Sequence, residues 1–467
     1  MFAKHFSRTF SVNNISRVNM LEQEYVSLRA NYSGFPLIDE LDFDTELVSR
    51  VILDLKCGKA ADIDGLSAEH LIYSHPKLSV ILSKMFRLIL LSHRIPIQFK
   101  NSYMVPIPKG NNYISKVMTC DDFRAIAVSP ILSKVFEYSF LDRFGKYLGS
   151  ADNQFGFKKG VGCSHAIYTC RNIVDRFVQN GSTVNICAID LSKAFDKVNH
   201  HALFIKLMEK HVPVIILDLL ENLLSCCTSC VKWKNSWSEN FEINFGVRQG
   251  SVLSPLLFAL YIDDLANLHC PERGWFILLY ADDILLMTSS VTGLQQLLHK
   301  CERELYRIDM AVNYRKSACM RIGPRNNIQC TDIVSLDGVI FHWVSEIKYL
   351  GINIVTSKVF KCSFDQTKRS FYRVANSIFG KVGRIASEEV TLQLISCKCM
   401  PILLYGLEAC PLNKSDLSSL DFTVNRFFMK LFRTSNMEII KSCQSAFNFV
   451  LPSAQIAKRR DKFVKKI

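Results

Sequence analysis

The chain has 467 residues, 49% of them hydrophobic, with 57 Lys and Arg against 43 Asp and Glu for a net charge of +14. That length supports two to four packed subdomains and a sizeable apolar interior. No apolar run reaches transmembrane length, and a cationic surplus suits a polyanionic partner such as nucleic acid or an anionic membrane surface, although a plain basic protein has the same balance.

The first twenty residues, "MFAKHFSRTFSVNNISRVNM", are basic and free of acids, the composition of a mitochondrial transit peptide. The region to Glu46 is mixed and poorly periodic. From Leu47 to Phe99 helix-period apolar positions dominate, broken by the turn-like "AADIDG", and Pro106 and Pro108 punctuate a short extended piece. "TVNICAID" alternates and is β-branched, which predicts a strand ending at Asp190. "SVLSPLLFALYIDDL" predicts a helix with Ser254 as N-cap and Pro255 at its first position. "FILLYADDILLM" predicts a β-hairpin, and after Lys348 the chain turns mostly helical and basic, ending in "KRRDKFVKKI".

Seventeen cysteines, odd in number and scattered through apolar runs, predict buried reduced thiols in an intracellular protein. Cys227 and Cys230 form a lone CxxC with no second ligand pair at zinc-finger spacing, so no structural zinc is expected there.

The pattern Tyr-x-Asp-Asp occurs twice, at Tyr261–Asp264 and Tyr280–Asp283. Adjacent carboxylates are costly unless a cation or solvent takes up their charge. In the first copy Phe258, Tyr261, Ile262 and Leu265 form one apolar helical stripe. Asp263 and Asp264 then project about 140° and 240° from Phe258, which predicts a solvated face near the helix end. In the second copy two strongly apolar strands lift Asp282 and Asp283 to a hairpin tip, with no neutralising group in the local sequence. Asp190 ends another strand. Three carboxylates so placed suit two Mg²⁺ ions, which activate a hydroxyl nucleophile and neutralise a leaving phosphate.

With these motifs the sequence resembles the reverse transcriptases of non-LTR (LINE-type) retrotransposons over nearly its whole length. "AIDLSKAFDKVNH", "GVRQGSVLSPLLFALYIDDL" and "LLYADDILLM" resemble the three catalytic blocks of the palm. "KAADIDGLSAEHL", "MVPIPKG" and "DDFRAIAVSPILSKVFE" resemble the fingers, and "NQFGFKKGVGC" the segment before the palm. "MAVNYRKSACMRIG" is similar to the block after the catalytic hairpin, "EIKYLGINI" to the primer grip and "LLYGLE" to the thumb. "FAKHFSRTFS" is similar to the stretch between endonuclease and polymerase in longer elements, which replaces the transit-peptide reading.

The resemblance implies an α+β right-hand polymerase: an N-terminal extension (1–46), fingers (47–183), a palm with an antiparallel sheet (184–355), and a helical thumb with a basic tail (356–467). It implies RNA-directed DNA polymerisation, with dNTPs added to a primer 3′-OH on an RNA template with a DNA primer. The cofactor is two Mg²⁺ ions, with Mn²⁺ as a substitute. Asp190, Asp282 and Asp283 would hold the metals with the Leu191 carbonyl. Phe195 would sit under the sugar and disfavour a ribose 2′-OH, a core aromatic being the alternative. Lys109 and Arg124 would meet the triphosphate, Lys109 alternatively being surface charge. Gln249 and Gly250 would lie over the incoming nucleotide, Gln249 alternatively capping a helix. Lys316 would protonate pyrophosphate or is an ordinary surface lysine. Tyr349, Leu350 and Gly351 would grip the primer or form a plain turn.

The tail residues Lys458, Arg459, Arg460, Lys462, Lys465 and Lys466 would hold the duplex backbone, serve as a nuclear address, or form a solvated end. The sequence departs from the family at Asp62, Ala125 and Lys158, where glycine, proline and arginine are usual, and the link from Leu265 to Phe276 is short. No stretch resembles an endonuclease, a Cys/His knuckle or an RNase H block. The expectation is a nuclear or cytoplasmic chain that copies RNA but does not nick DNA, without a membrane partner. A nucleic-acid-binding protein with an inactive polymerase fold and an RNA-dependent RNA polymerase are the rival readings.

Overall fold

The computed structural model describes residues 1–12, 14–39, 41–109, 117–382 and 385–466. Gly110, the last residue of the "MVPIPKG" block, lies outside them. The chain forms two compact units. One comprises Met1–Phe157, Asp190–Leu268 and Lys300–Asn313, the other Lys158–Ile189, His269–His299 and Tyr314–Ile467.

In the first unit Asn101–Pro108 pairs antiparallel with Phe123–Val128 and parallel with Cys227–Trp233, which also pairs with Ser236–Trp237 and Phe241–Ile243. Two prolines are tolerated in Asn101–Pro108 because its pairing with Cys227–Trp233 stops at Met104, before Pro106. Helices Thr45–Leu53, Lys77–Ser92 and Ile131–Phe144 pack around a knot of phenylalanines. Phe43, Phe86, Phe136, Phe140 and Phe144 are each at most 1% exposed, and their rings pair edge-on or tilted at centroid distances of 5.3 to 6.2 Å.

The N-terminal region is more ordered than its weak periodicity predicts. Helix Phe2–Thr9 lays Phe6 and Phe10 on the sheet face formed by Met104, Ala125, Ala127, Cys227, Val231 and Ile243. Helix Ile15–Ala30 is capped by Asn14 and tied by Arg29 and the Tyr25 hydroxyl to Glu221. Its average hydrophobicity gives no signal because these anchors are polar.

The departure at Asp62 has a structural use. Its Oδ1 accepts from the backbone of Asp64 (3.0 Å) and Leu66 (2.8 Å), and its Oδ2 from Ile131 (2.8 Å), so one buried carboxylate closes a turn and holds the start of helix Ile131–Phe144.

In the second unit a four-stranded antiparallel sheet runs in the order Trp275–Tyr280, Asp283–Thr288, Val184–Ile189, Ala318–Ile322. Ile277, Leu278, Leu279 and Ile284 to Met287 are all at most 1% exposed, so these strands read as continuous apolar runs because both faces are covered. A smaller sheet joins Glu346–Tyr349, Ile352–Val355 and Cys362–Ser363, so strand structure persists beyond the expected helical boundary. Helices Asp365–Val382, Glu388–Leu394, Lys414–Phe432, Met437–Ala446 and Pro452–Val464 follow. Phe463 of the last one packs edge-on to His165 and Tyr168 of helix Cys163–Gln179, so the basic tail is anchored.

Nine of the seventeen cysteines are buried and all are free thiols, Cys227 and Cys230 among the buried ones. Among the described residues no helix is long and apolar enough to cross a membrane.

Candidate active site

The hairpin of the second unit places the second Asp pair. Tyr280 stands opposite Asp283 and Leu279 opposite Ile284, so Ala281 and Asp282 form a two-residue connection. Ala281 adopts φ +53°, a left-handed conformation that costs an alanine about 1–2 kcal/mol. A tight turn of this hand matches the strand twist, and the strain sits beside the two half-buried carboxylates. The neighbouring strand Val184–Ile189 is antiparallel to Asp283–Thr288, and its last residue, Ile189, faces Ile284. The strand therefore ends one residue before Asp190, which is the next residue in the sequence.

The surroundings of Asp190 within the first unit are specific. Its backbone carbonyl accepts from the Asn313 N–H at 2.8 Å, and its carboxylate Oδ2 accepts from the Asn313 side-chain amide at 3.0 Å. Leu191 and Val312 form an antiparallel bridge, and the Ser192 N–H donates to the Ala311 carbonyl at 3.0 Å. Asn313 belongs to the "MAVNYRK" stretch and was not singled out from the sequence, because nothing in its spacing marks it as a partner of Asp190.

Among the residues of the same unit expected to meet the nucleotide, Phe195 is half-buried and stacks on Phe258 at 4.7 Å and 19°, with Phe157 edge-on at 6.1 Å. Gly250 has φ +141°, and a Cβ there would lie 2.1 Å from the Ala127 carbonyl oxygen, so only glycine fits. The Ala127 N–H donates to the Gln249 carbonyl at 2.9 Å, and Gln249 Nε2 donates to Asp196 Oδ1 at 2.8 Å. Burial pushes the Asp196 carboxyl up to about 6, against the opposing pull of Gln249, Lys193, Lys109 and Lys197. Lys109 is exposed and its ammonium donates to the Asp121 carbonyl at 2.8 Å. Arg124 is exposed on its strand, opposite Ile107.

Gln249 does not cap the helix. That helix is Ser254–Tyr261, with Leu253 rather than Ser254 as N-cap, and its amino end is held by buried Glu137. The Glu137 carboxylate accepts from Val252 N–H (2.8 Å), Leu253 N–H (3.0 Å), Ser133 Oγ (3.0 Å) and Ser251 Oγ.

The first Asp pair requires a correction. Helix Ser254–Tyr261 stops before it, and the pair falls in a 3₁₀ turn, Asp263–Leu268. Asp263 is not on a solvated face, and Asp264 is only partly exposed. Asp263 is 5% exposed, pairs with Lys210 at 2.6 Å and accepts from the Ala151 N–H at 2.8 Å, while Asp264 pairs with Lys206. Their charge is neutralised by lysines of helix His200–Glu209 and its C-cap, which lie far away in sequence and gave no local signal.

In the second unit Tyr349 pairs with Ile352 across a two-residue turn, with Leu350 at φ +45° and Gly351 at φ +87°. A Cβ at Gly351 would lie 2.7 Å from the Tyr405 ring. Tyr349 is buried, its hydroxyl has no hydrogen-bond partner among the described residues, and burial, Cys170 and Asp283 together hold its phenol far above its ordinary pKa. Lys316 is exposed in the turn before Ala318–Ile322. Among the described residues no three His, Cys, Asp or Glu side chains stand together as a ready-made metal cage.

Residues 107–354, more than half of the chain, match the family Reverse transcriptase (RNA-dependent DNA polymerase), and the chain belongs to it; its α+β architecture is that of a right-hand polymerase. Its relatives are the RNA-directed DNA polymerases of non-LTR retrotransposons. It is 26% identical over 382 residues to the "Probable RNA-directed DNA polymerase from transposon BS" of Drosophila melanogaster, covering 78% of this chain and 41% of that protein. With the "RNA-directed DNA polymerase from mobile element jockey" of the same organism it is 25% identical, over 87% of this chain and 45% of the relative. The chain thus spans less than half the length of these relatives. A solved telomerase from Candida albicans, in complex with a TWJ fragment of telomeric RNA, aligns with 94% of this chain and 83% of its own at 11% identity and a TM-score of 0.45.

Proposed function

We propose that the chain is the polymerase portion of a non-LTR retrotransposon reverse transcriptase, adding dNTPs to a DNA primer 3′-OH on an RNA template. Asp190, Asp282 and Asp283, with the Leu191 carbonyl, hold two Mg²⁺ ions, for which Mn²⁺ substitutes. One observation carries this reading. The strand that precedes Asp190 pairs directly with the strand that begins at Asp283, Ile189 facing Ile284. The donor set is all hard oxygen, which fits magnesium. Adjacent carboxylates such as Asp282 and Asp283 are costly to hold together unless a cation takes up their charge. The bound ions supply activation of the 3′-OH and neutralisation of the leaving pyrophosphate.

The remaining residues position substrates. Lys109 and Arg124 hold the triphosphate, Phe195 lies beneath the sugar, Gln249 and Gly250 cover the nucleotide, Lys316 gives a proton to pyrophosphate, and Tyr349, Leu350 and Gly351 hold the primer end. The fingers (47–183), palm (184–355) and thumb (356–467) divide this work. In the thumb a groove of about 690 Å³ is lined by Lys458, Arg459 and Lys462 beside Phe447 and Phe449, a surface that suits a nucleic-acid backbone without reading sequence. The compartment we assign is nucleus or cytoplasm.

The rival, a binding protein without chemistry, draws on the departures from the family's usual residues at Asp62, Ala125 and Lys158. Extension of a primer on an RNA template with Mg²⁺, compared with Asp282→Ala, separates the two. Binding without extension at any divalent ion overturns the polymerase reading.

A further inference from the structure

The "SKAFD" stretch contains an acid that the proposed chemistry does not use. Asp196 follows Phe195 on the 3₁₀ turn Ala194–Lys197, beneath the segment that carries Gln249. That segment is pinned on both sides. The Val247 N–H donates to the Phe195 carbonyl at 2.8 Å, and Gly246, at φ +78°, lies so close that a Cβ would come within 2.6 Å of the Asp196 carbonyl oxygen. At the other end Gln249 and Gly250 are held against Ala127 of the strand Phe123–Val128. The backbone has little freedom, so the orientation of the Gln249 amide is set by what its side chain meets. It meets Asp196 Oδ1 at 2.8 Å.

An amide has a donor end and an acceptor end, whereas an ionised carboxylate only accepts. The partner therefore selects one of two amide orientations that otherwise differ little in shape. We propose that Asp196 is a positioning residue which holds the Gln249 amide with its nitrogen inward, so that Gln249 presents its oxygen, an acceptor, to a donor group of the incoming nucleotide. This rests on the reading of Gln249 as a nucleotide contact. A carboxyl titrating near 6, with Lys193, Lys109 and Lys197 around it, is mainly ionised at neutral pH and keeps the orientation fixed. Phe195 and Asp196 thus act on one ligand from adjacent positions, the ring by shape and the acid through Gln249.

The test uses the full chain on an RNA–DNA duplex with a 3′-deoxy-terminated primer, and equilibrium binding of the next dNTP in Mg²⁺. Asp196→Asn keeps the size but offers an amide that pairs with Gln249 in either orientation. It should weaken dNTP binding about tenfold, the equivalent of one well-placed hydrogen bond. Gln249→Ala should weaken it similarly, and the double variant no further than Gln249→Ala alone. Unchanged binding in Asp196→Asn, or losses that multiply in the double variant, overturn the proposal.

A second readout needs no nucleotide. In selectively ¹⁵N-glutamine-labelled protein the side-chain amide signal of Gln249 should move in Asp196→Asn, and its failure to move also overturns the proposal. If the unmodified chain binds no dNTP, the polymerase reading itself fails and this inference falls with it. If it binds dNTP and Asp196→Asn binds equally well, only the role of Asp196 is lost.

Discussion

Asn313 holds Asp190 twice, through its backbone N–H to the Asp190 carbonyl at 2.8 Å and through its side-chain amide to the carboxylate at 3.0 Å. The double contact fixes both where the strand-end acid leaves the backbone and which way its carboxylate faces. Groups that orient a metal ligand commonly change metal affinity about 10–100-fold when removed. Asn313→Ala should therefore raise the Mg²⁺ concentration needed for half-maximal extension by about tenfold, with activity recovered at high Mg²⁺. A lower plateau at unchanged Mg²⁺ requirement would count against an orienting role.

The two Asp pairs should behave oppositely. Asp282→Ala should abolish extension while leaving the melting temperature near that of the parent. Asp263→Ala leaves half-buried Lys210 and the Ala151 N–H without their acceptor, so it should lower stability by about 1–3 kcal/mol yet retain near-normal activity below its melting point. Equal losses of activity in the two variants would refute the assignment.

Phe195 packs face to face on Phe258 but keeps part of its ring uncovered. Phe195→Val should narrow the preference for dNTPs over rNTPs by about tenfold or more, measured as the ratio of their kcat/KM values. A parent protein with no such preference would favour an RNA-dependent RNA polymerase.

Asp196 also has a signature in stability. Its carboxyl is pushed up to about 6 in the folded chain against an ordinary value of 3.8, chiefly by burial. A raised carboxyl pKa favours the fold below the unfolded value and loses that contribution as pH rises through about 6. Asp196→Asn should therefore become relatively more stable than the parent between pH 4.5 and pH 7.5, by about 1–2 kcal/mol given the partial exposure of the side chain. Chemical denaturation at the two pH values measures the difference, and an equal effect at both would contradict it.

Two glycines make a backbone prediction. Gly250→Ala meets the Ala127 carbonyl oxygen at 2.1 Å, and Gly351→Ala meets the Tyr405 ring at 2.7 Å, each at positive φ. The first encounters rigid backbone and should cost more than about 3 kcal/mol or lose folding. The second encounters a partly exposed side-chain ring that can shift and should cost about 1–2 kcal/mol. Thermal melts of the two variants decide the order.

Much of this was legible in the sequence because it is local. The hairpin at Trp275–Thr288, the strand before Asp190 and the helices between Thr45 and Ser92 follow from apolar pattern and turn residues, which act over a few positions. The hidden parts were contacts between distant segments. Lys210 and Lys206 neutralise the first Asp pair, Glu137 rather than Ser254 or Gln249 caps helix Ser254–Tyr261, and Asn313 reaches Asp190 across more than a hundred residues. A polar residue carries no mark of which remote group it satisfies. The N-terminal helices were missed for the same reason, since their anchors are a phenylalanine pair and a tyrosine–arginine couple whose partners lie beyond residue 100.

Helix Phe2–Thr9 closes one side of the sheet that carries Arg124 and braces Gln249. A shortened version starting after Phe10 would uncover Met104, Val231 and Ile243 to water and leave a sticky plane on the sheet. Handling such a fragment would call for detergent or a fusion partner, and poor recovery of it would reflect that bare plane rather than any fault in the chemistry downstream.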